Sequence, residues 1–404
     1  MHLLAAADPI EWWHAAERYL GGGTRTYSKY ADITDISPVF HPQWGTRSFT
    51  MPSFWVPETL GGLQTNSIAS ALPQLYHDGE RMLLPVHPDA LASADLVGRA
   101  ELLDCAPGPL FEVVPLANAR TVFVETIDGA AVQPHQLKLH YPRRISRFTR
   151  RLRKPMIELE LWVADELAAL NAPCLAEVCG GVFGSGSDAW GFVVRDAPPF
   201  DGGTYTVPLF ALYGNDIRAS EDPTLLEQLV EVSGVRAETF IADRIISPMI
   251  RLWVRTAIST GCLLEPHGQN ALVSFTLDAR EVEVRYRDCG VYVDPEIRRQ
   301  QGLDRPLPPM NVIGNDLPVP APHIGSLTYD SFMGHHALDY LAELARKRLG
   351  ADSDVLHEAA RATFAAEAGA FSETLLPNTV YYYDDTAPPE KWRLVDTARR
   401  PHWR

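Results

Sequence analysis

The segment 261–290 constrains the fold more than any other part of the chain. It opens with four polar side chains within six residues: Glu265, His267, Gln269 and Asn270. The stretches that follow, ALVSFTLD and EVEVRY, alternate apolar and polar side chains on either side of a turn at 278–280. This alternation around a short turn predicts a β-hairpin. Asp288 comes directly after the hairpin, so we expect its carboxylate to lie near the polar cluster.

The polar cluster and Asp288 offer hard oxygen donors at one end of the predicted hairpin. Carboxylate and amide oxygens suit Mg²⁺ better than Zn²⁺, because Mg²⁺ prefers oxygen ligands and keeps several waters. We therefore predict a Mg²⁺ site that carries a nucleotide phosphate, with these ligands: Glu265, Gln269, Asn270 and Asp288. The alternative is a loop of polar caps beside a core hairpin.

A basic cluster, KLHYPRRISRFTRRLRK, spans 138–154 in a chain whose formal net charge is −15. The acidic chain argues against general nucleic-acid binding, since phosphate backbones select basic surfaces. The local basic excess is expected at a strand-to-helix junction, where Lys, Arg and free backbone N–H groups can hold a phosphate or a carboxylate. A solvated helix face with basic side chains is the other interpretation.

Several features bound the class of protein and its location. The sequence has no run of about 18 apolar residues, which predicts no membrane span, and its first residues show no export-signal pattern. Five cysteines without a C-x-x-C pair are typical of free thiols in a reducing compartment. A cytoplasmic location follows. The glycine-rich segment 180–188 matches no phosphate-loop motif and is interpreted as a hairpin turn.

Four motifs resemble a known family, and they occur in that family's order. They are HPQWGTR at 41–47, LPVHP at 84–88, ANART at 117–121 with KLHYPRRISRFTR at 138–150, and GCLLEPHGQN with RDCG inside 261–290. They are similar to HP-x-x-K-x-R, PVHPWQ, S-x-R-T with K-L-x-x-x-x-x-I-T-S-x-x-R, and G-I-x-x-E-x-H-x-Q-N with R-D-x-x-G. Those patterns belong to the IucA/IucC family of siderophore synthetases that use no nonribosomal peptide template, the NIS synthetases.

The resemblance implies a ligase that binds ATP and Mg²⁺ and adenylates a carboxylic acid, citrate-like or another polycarboxylate. An amine or hydroxyl nucleophile then attacks the adenylate, and AMP and pyrophosphate are released. By position, the family's catalytic residues fall on Lys138, Arg150 and His267. Its nucleotide-binding residues fall on His41, Arg47, Asn118, Arg120, Thr121, Lys138, Gln269 and Asn270. Its acid-binding residues fall on Ser146, Arg150 and His267, and its metal ligands fall on Glu265, Gln269, Asn270 and Asp288.

The chain departs from the family's pattern in ways that affect substrate choice. Gly45 stands where the family has lysine, and Asp-Ala at 89–90 replaces Trp-Gln. Asn118 and Ser146 replace a serine and a threonine. The chain is also shorter ahead of His41, where family members carry an N-terminal helical region. These departures predict a substrate other than that of the citrate-using members, in siderophore synthesis or in another specialised-metabolite pathway.

Two other functions remain open from the residues. A metal-binding Asn before a hairpin and an Asp after it are also found in kinase-like phosphotransferases. The sequence lacks the H-R-D motif and the strand lysine motif of protein kinases. The second alternative is a non-catalytic binding protein, favoured by Gly45 and Asn118. The products separate these functions, since a synthetase forms AMP and pyrophosphate, a kinase forms ADP, and a binding protein forms neither.

The expected fold class is α+β, similar to the fingers-and-palm architecture of NIS synthetases, with antiparallel sheets backed by helices. Residues 1–160 are expected to form a mixed, fingers-like domain that covers the nucleotide. Residues 161–327 are expected to form a palm-like domain with the metal and ATP site, and 328–404 a helical segment that closes the chain. The resemblance also implies a homodimer.

Overall fold

The chain folds into antiparallel sheets backed by helices, which confirms the α+β prediction. The structure, a computed structural model, describes residues 8–22, 34–145, 148–200, 203–372, 374–384, 386 and 393–404. The strands are β1 (Phe49–Met51), β2 (Ser53–Pro57), β3 (Gly61–Thr65), β4 (Arg81–Pro85), β5 (Ala106–Pro107), β6 (Phe111–Pro115), β7 (Thr121–Ile127), β8 (Ala130–Leu139), β9 (Tyr141–Ile145), β10 (Phe148–Arg150), β11 (Glu177–Phe183), β12 (Trp190–Asp196), β13 (Thr204–Pro208), β14 (Cys262–Leu263), β15 (Ala271–Thr276), β16 (Val282–Tyr286), β17 (Tyr292–Val293), β18 (Tyr381–Tyr383) and β19 (Leu394–Asp396).

The helices alternate with these strands and dominate the second half of the chain. The α-helices are α1 (Pro9–Tyr19), α2 (Pro88–Leu91), α3 (Arg99–Leu103), α4 (Lys154–Ala169), α5 (Phe210–Tyr213), α6 (Leu225–Ser233), α7 (Ala237–Ile241), α8 (Ser247–Thr260), α9 (Pro295–Gln300), α10 (Ala321–Ser326), α11 (Asp339–Leu349) and α12 (Ser353–Ala368). Short 3₁₀ turns occupy Pro38–Phe40, Leu72–Tyr76, Gly186–Asp188 and Gly369–Phe371. Stretches of π-helix occupy Ala242–Ile246 and Leu327–Leu338. None of the helices within the described ranges is long and apolar enough to span a membrane.

The first half of the chain builds a seven-stranded antiparallel sheet in the order β1-β6-β7-β8-β12-β11-β3. The smaller sheet β4-β2-β5 shares its apolar core, in which Phe111 and Phe192 are fully buried. Lys138 lies in β8, a central strand flanked by β7 and β12. Because β11 and β12 belong to this sheet, it continues past residue 160 and places Lys138 at its centre.

The predicted hairpin is confirmed as the antiparallel pair β15 and β16. Ala271 lies opposite Tyr286 at the open end, and Phe275 lies opposite Val282 near the turn. β13 joins the other edge of β15. At the open end of the hairpin, the Arg287 N–H donates to the Asn270 carbonyl at 3.0 Å. This bond continues the ladder one step past the strands, so it draws the polar cluster and Asp288 to the same end.

A long helical segment packs against β16 of the hairpin and consists of α7, a π-helical turn and α8 in direct succession. The π-helical turn, 242–246, comes just before Pro248. Proline lacks an N–H and its ring clashes with the preceding turn of an α-helix, which accounts for the wider turn there. Gly261 ends α8 with a φ of +74°, the left-handed conformation expected of a helix-terminating glycine.

The glycine-rich segment interpreted as a hairpin turn is confirmed, since it joins β11 to β12. Gly184 and Gly186 have φ angles of +83° and +70°. These angles lie in the left-handed region, which costs glycine little because it has no Cβ. The segment therefore serves the sheet as a tight turn.

Buried neutral histidines make this fold sensitive to acid, and His135 in β8 is the best defined of them. Its Nδ1 donates to the Gln133 carbonyl at 2.6 Å, and its Nε2 accepts the Tyr76 hydroxyl at 2.5 Å. Burial lowers the pKa of His135 to about 4 from its usual 6.5. Because the unfolded chain takes up this proton first, the stabilisation is complete above pH 6.5 and is lost as the pH falls towards 4.

We expect His135→Gln to flatten the acid side of the stability profile. At pH 7 the variant is less stable than the wild type. On acidification from pH 7 to pH 4, however, its free energy of unfolding falls by about 3 kcal/mol less than that of the wild type. Calorimetric unfolding across this pH range measures the difference. His77→Gln, at a half-exposed site, serves as the control. An unchanged pH dependence in His135→Gln would contradict this account.

Candidate active site

A cavity of about 630 Å³ lies where β8, the ribbon β9–β10 and the open end of the hairpin meet. Its volume is typical of a small-molecule site. Most of the residues predicted for the site line it: His41, Asn118, Arg120, Lys138, Arg150, Glu265, His267, Gln269, Asn270 and Asp288. They come from separate parts of the sequence, so the fold brings the motifs together.

Two of the predicted site residues, Thr121 and Arg47, are not among the described residues that line the cavity. Thr121 is buried at the start of β7. Arg47 pairs with Glu11 at 2.6 Å and with Glu125 at 3.2 Å. Ser146 lies outside the described residues. The nucleotide role assigned to Arg47 and Thr121 thus has no counterpart in the cavity lining.

Lys138 lies between two carboxylates at the floor of the cavity. Its Nζ is 2.7 Å from Glu160 Oε1 and 2.6 Å from Asp288 Oδ1, and its side chain is only 2% exposed. Burial alone lowers the pKa of Lys138, but the charges of Asp288, Glu160 and Glu177 outweigh burial and raise it. Lys138 is therefore an ammonium ion that links strand β8 to helix α4 and to the end of the hairpin.

Asp288 also faces a second buried cation, Arg195 of β12. Arg195 is 2.5 Å from Glu177 Oε1 and 3.9 Å from Asp288 Oδ2. Burial raises the pKa of Asp288, but Lys138 and Arg195 lower it far below its usual range. Asp288 has a φ of +83°, which is strained for a residue with a Cβ. The network holds an ionised carboxylate in a strained conformation at the cavity floor.

Glu265 is another of the carboxylates that line the cavity, and its environment differs from that of Asp288. Burial and the charge of Asp288 raise the pKa of Glu265 to about 8. Its backbone N–H donates to the Tyr286 hydroxyl at 3.1 Å. Among the described residues its carboxylate accepts no hydrogen bond. Glu265 thus lines the cavity without an ion pair to any Lys or Arg of the described residues, although the charges of Lys138 and Arg150 act on it from further away.

These donors fit a partly hydrated divalent cation. Glu265 and Asp288 supply carboxylate oxygens, and Gln269 and Asn270 supply amide oxygens, the donor class that Mg²⁺ prefers. No group of three or more His, Cys, Asp or Glu side chains within the described residues is placed to hold a metal ion by itself. A cation here would therefore keep waters or phosphate oxygens among its ligands.

His267 is a neutral imidazole with a defined tautomer. Burial lowers its pKa to about 4. The charge of Asp288 acts to raise this pKa, and the charges of Arg287 and Arg150 act to lower it. Its Nδ1 accepts the Gln269 N–H at 3.2 Å, so the ring proton is on Nε2. A neutral imidazole with an Nε2–H can donate one hydrogen bond to an anion in the cavity.

The motif ANART forms the turn between β6 and β7. Asn118 Oδ1 accepts the Thr121 N–H at 2.8 Å, which closes the turn. Arg120 Nη1 donates to the Arg150 carbonyl at 3.4 Å and so connects the turn to β10. Asn118, Arg120 and Arg150 all line the cavity. Two guanidinium groups on neighbouring segments can hold phosphate or carboxylate oxygens in paired hydrogen bonds.

The segment 38–47, which carries His41, is held in place by Arg18 of α1. The Arg18 guanidinium donates to the carbonyls of Pro42 at 2.5 Å, Arg47 at 2.8 Å and Thr46 at 2.9 Å. Arg18 is buried, with 2% of the residue exposed. One side chain therefore gathers the carbonyls of a loop that has little secondary structure and positions His41 at the cavity.

The motif LPVHP supports the same segment from the other side. The His87 ring is buried, with ring centroids 5.1 Å from Phe40 and 5.1 Å from Tyr141. Asp89, which replaces the family's tryptophan, accepts the Ser37 N–H at 2.9 Å and the Tyr141 hydroxyl at 2.8 Å. These residues are not among the described residues that line the cavity. They contribute to the site by fixing the segment that carries His41.

Sequence reasoning missed several residues that build the site. Glu160 and Arg18 are charged residues inside helices, and their spacing gives no sign that they are buried. Glu17 of α1 pairs with Arg287 beside the polar cluster. The second half of the chain adds aromatic side chains to the cavity: Phe210, Tyr213, Tyr292, Phe332 and Tyr383. Only Phe332 and Tyr383 belong to the segment 328–404, where the density of aromatic residues was the one available signal.

Comparison with known proteins gives matches to solved structures alone. No family model matches the chain, and no curated protein does. The petrobactin biosynthesis protein AsbB from Bacillus anthracis str. Sterne superposes with a TM-score of 0.68 and 10% identity, over 97% of this chain and 75% of AsbB. ATP-bound aerobactin synthetase IucA from Klebsiella pneumoniae superposes with a TM-score of 0.64 and 14% identity, over 90% of this chain and 70% of IucA. Aerobactin synthetase IucC from the same organism superposes with a TM-score of 0.64 and 14% identity, over 94% of this chain and 74% of IucC. The chain shares the fold of these proteins, which supports the resemblance seen in its motifs.

Gly45 is required by the loop that carries His41, and a substitution there tests this arrangement. A Cβ at Gly45 would lie 2.4 Å from the Val39 carbonyl oxygen and 2.7 Å from that of His41. Gly45→Ala should therefore break the bonds from the Gly45 and Thr46 N–H groups to those carbonyls. We expect hydrogen exchange at these amides to rise by about tenfold or more, as expected for about 1.4 kcal/mol of local destabilisation.

Gly62→Ala is the matched control, because a Cβ at Gly62 meets no atom within 4 Å. Exchange in the segment 38–47 should stay at the wild-type rate in this variant. Wild-type exchange in Gly45→Ala would show that the loop does not depend on a glycine at this position.

Proposed function

We propose that this protein, which has the fold of NIS synthetases, is an ATP-dependent carboxylate ligase of the IucA/IucC family. It adenylates a carboxylic acid and joins the acid to an amine or hydroxyl nucleophile. The observation that carries the proposal is the meeting of Arg120, Arg150, Glu265, His267 and Asp288 in one cavity. The family likeness also leads us to propose a cytoplasmic homodimer and the three-part division at residues 160 and 327, with β11 and β12 completing the sheet of the first part from beyond residue 160.

The cavity supplies positive charge for a reaction between anions. A carboxylate that attacks the α-phosphate of ATP meets repulsion from the phosphates. Arg120 and Arg150 offset this charge from the β7 and β10 side of the cavity, and His41 faces the nucleotide from the opposite loop. Lys138 lies deeper and pairs with Asp288. Lys138 would therefore act on the nucleotide in two ways, through its own charge and by fixing the position of the Asp288 carboxylate.

Mg²⁺ would be held by Glu265, Asp288, Gln269 and Asn270. When bound, this ion neutralises phosphate charge and polarises phosphoryl oxygens. The support is the pair of carboxylates at the cavity floor, one of them without a hydrogen-bond donor among the described residues. Asp288 is kept ionised by Lys138 and Arg195, so it is ready to bind a cation.

Arg150 and His267 are assigned to the acid. The guanidinium can bind a carboxylate through two parallel hydrogen bonds, which fixes the oxygen that attacks. The His267 Nε2–H can donate to the same carboxylate, since Nδ1 is engaged by Gln269. A carboxylate oxygen forms a bond to the α-phosphorus, and the bond to pyrophosphate breaks. The nucleophile then attacks the acyl carbon, loses one proton, and AMP leaves with the former carboxylate oxygen.

A kinase-like phosphotransferase is the second candidate, and one observation favours it. Protein kinases require a Lys–Glu ion pair between a strand and a helix, together with a metal-binding Asp. Lys138 of β8, Glu160 of α4 and Asp288 form such a set. The chemistry of the two candidates differs in which phosphate bond breaks.

Product analysis separates the candidates. The purified protein is incubated with ATP, Mg²⁺ and a panel of carboxylic acids, with hydroxylamine as the nucleophile. The proposal predicts acid-dependent AMP and pyrophosphate in equal amounts, together with a hydroxamate. Acid-dependent ADP and phosphate would favour the phosphotransferase. ATP binding without turnover would favour a non-catalytic protein.

Glu265→Gln tests the proposed metal site with little cost to the fold. The pKa of about 8 keeps Glu265 largely protonated in the free protein, and a bound Mg²⁺ would displace that proton. The amide keeps the shape of the side chain but cannot become the anionic ligand. We expect turnover to fall by about a hundredfold or more at saturating Mg²⁺, which is about 3 kcal/mol of transition-state stabilisation. The melting temperature should stay close to that of the wild type.

Asp288→Asn is the comparison, because Asp288 also belongs to the buried network. This variant should lose turnover and also about 3–5 kcal/mol of stability, since Lys138 and Arg195 lose a partner in the interior. Wild-type turnover in either variant would remove the carboxylates from the proposed metal site.

Arg150→Lys tests the role assigned to the guanidinium. The substitution keeps the charge but loses the two-pronged geometry, so we expect adenylation to slow by roughly a hundredfold, or about 3 kcal/mol. ATP affinity measured without the acid should change far less. Arg153→Lys is the control, because Arg153 pairs with Asp188 at 3.2 Å and is not among the residues that line the cavity. An equal loss of ATP affinity and of turnover in Arg150→Lys would assign this residue to the nucleotide instead.

A further inference from the structure

One side of the cavity is aromatic and has no counterpart in the motifs. We call the following six residues, all among the described lining residues, the aromatic wall: Phe210, Tyr213, Tyr292, Phe332, His336 and Tyr383. Phe332 and His336 lie four residues apart in the π-helix 327–338, and Tyr383 ends strand β18. The C-terminal segment, expected only to close the chain, therefore contributes half of this surface.

The aromatic wall is neutral. Its one basic residue, His336, has its pKa lowered to about 3 by burial and by the neighbouring His335 and His267. His336 Nε2 lies 3.0 Å from the Tyr382 hydroxyl, which fixes the ring. Every Lys and Arg among the described residues that line the cavity belongs to the segment 120–151. The segments that build the aromatic wall therefore contribute no Lys or Arg to the described cavity lining.

The aromatic wall begins beside the residue assigned to the carboxylate of the acid. The rings of His267 and Phe332 have centroids 6.0 Å apart, and those of Phe332 and Tyr383 are 6.1 Å apart. Phe210 also adjoins this point, since its N–H donates to the Gly268 carbonyl at 2.9 Å. An acid whose carboxylate lies between Arg150 and His267 thus extends towards these rings.

The chemistry of this surface selects among acids. A second carboxylate placed against the aromatic wall would lose water and gain no cation from it, which is unfavourable. An aryl group would gain buried apolar contact and ring packing at the same place. A polycarboxylate is therefore disfavoured at the position where an aromatic acid is favoured.

We propose that the acid substrate is a monocarboxylate with an aromatic or flat apolar body. This inference rests on the proposed adenylation and narrows the wider expectation of a citrate-like or other polycarboxylic acid. The segment 120–151 neutralises the phosphates and the single reacting carboxylate. The aromatic wall receives the rest of the molecule.

The test compares two sets of acids in two assays. Phenylacetate, benzoate and cinnamate form one set, and citrate and succinate form the other. Acid-dependent pyrophosphate release reports turnover, and calorimetry with α,β-methylene-ATP present reports binding whether or not chemistry follows. We expect the best aromatic acid to exceed both polycarboxylates by at least about a hundredfold in kcat/KM and to bind measurably tighter.

The outcomes separate this inference from the proposed function. Pyrophosphate release that is faster with citrate or succinate would overturn the inference and leave adenylation standing. Tight binding of aromatic acids without any pyrophosphate would retain the aromatic pocket and remove adenylation. Binding and turnover that are absent with every aromatic acid of the panel would overturn the inference as well.

Phe332→Ala tests whether the aromatic wall itself provides the selection. We expect KM for the aromatic acid to rise by about tenfold or more, with KM for ATP within about twofold of the wild type. Trp55→Ala, which removes a partly buried ring from β2 outside the cavity lining, is the control and should leave both constants unchanged. An equal rise in both constants for Phe332→Ala would assign the aromatic wall to the adenine ring and overturn the inference.

Discussion

The site depends on a buried network of five ionisable side chains. Lys138 lies between Glu160 and Asp288, and Arg195 lies between Glu177 and Asp288. Taking these groups out of water is costly, and only mutual pairing at short distance offsets that cost. The network therefore admits few arrangements of strand β8, helix α4 and the hairpin end, and these are the elements that surround the cavity floor.

Arg18 and Asp89 fix the position of the loop 38–47, which carries His41 to the cavity. Arg18 gathers the carbonyls of the segment 42–47, and Asp89 fixes its start through Ser37 and Tyr141. A segment with little regular structure thereby reaches the cavity in one conformation. The Lys and Arg side chains of the segment 120–151 and the aromatic wall line the same cavity from different segments of the chain. The cavity is thus polar at the reacting centre and apolar where a substrate body extends.

The sequence predicted the parts of the fold that follow from local pattern. Alternation around 278–280 predicted the hairpin, and the glycines of the segment 180–188 predicted the turn between β11 and β12. The polar cluster was recognisable because its members are close in sequence. Glu160 and Arg18 were missed because their partners lie far along the chain, and helix periodicity does not reveal a buried ion pair. The aromatic wall was missed because its six residues come from four separate elements, so no local pattern joins them.

The central claim is that a carboxylate oxygen attacks the α-phosphate of ATP in this cavity. The most direct test uses an acid labelled with ¹⁸O in its carboxylate, a nucleophile, ATP and Mg²⁺, with mass spectrometry of the nucleotide product. The account predicts one ¹⁸O atom in each AMP, because the bridging oxygen of the adenylate leaves with the phosphate. Label in inorganic phosphate together with ADP, or AMP without label, would contradict it.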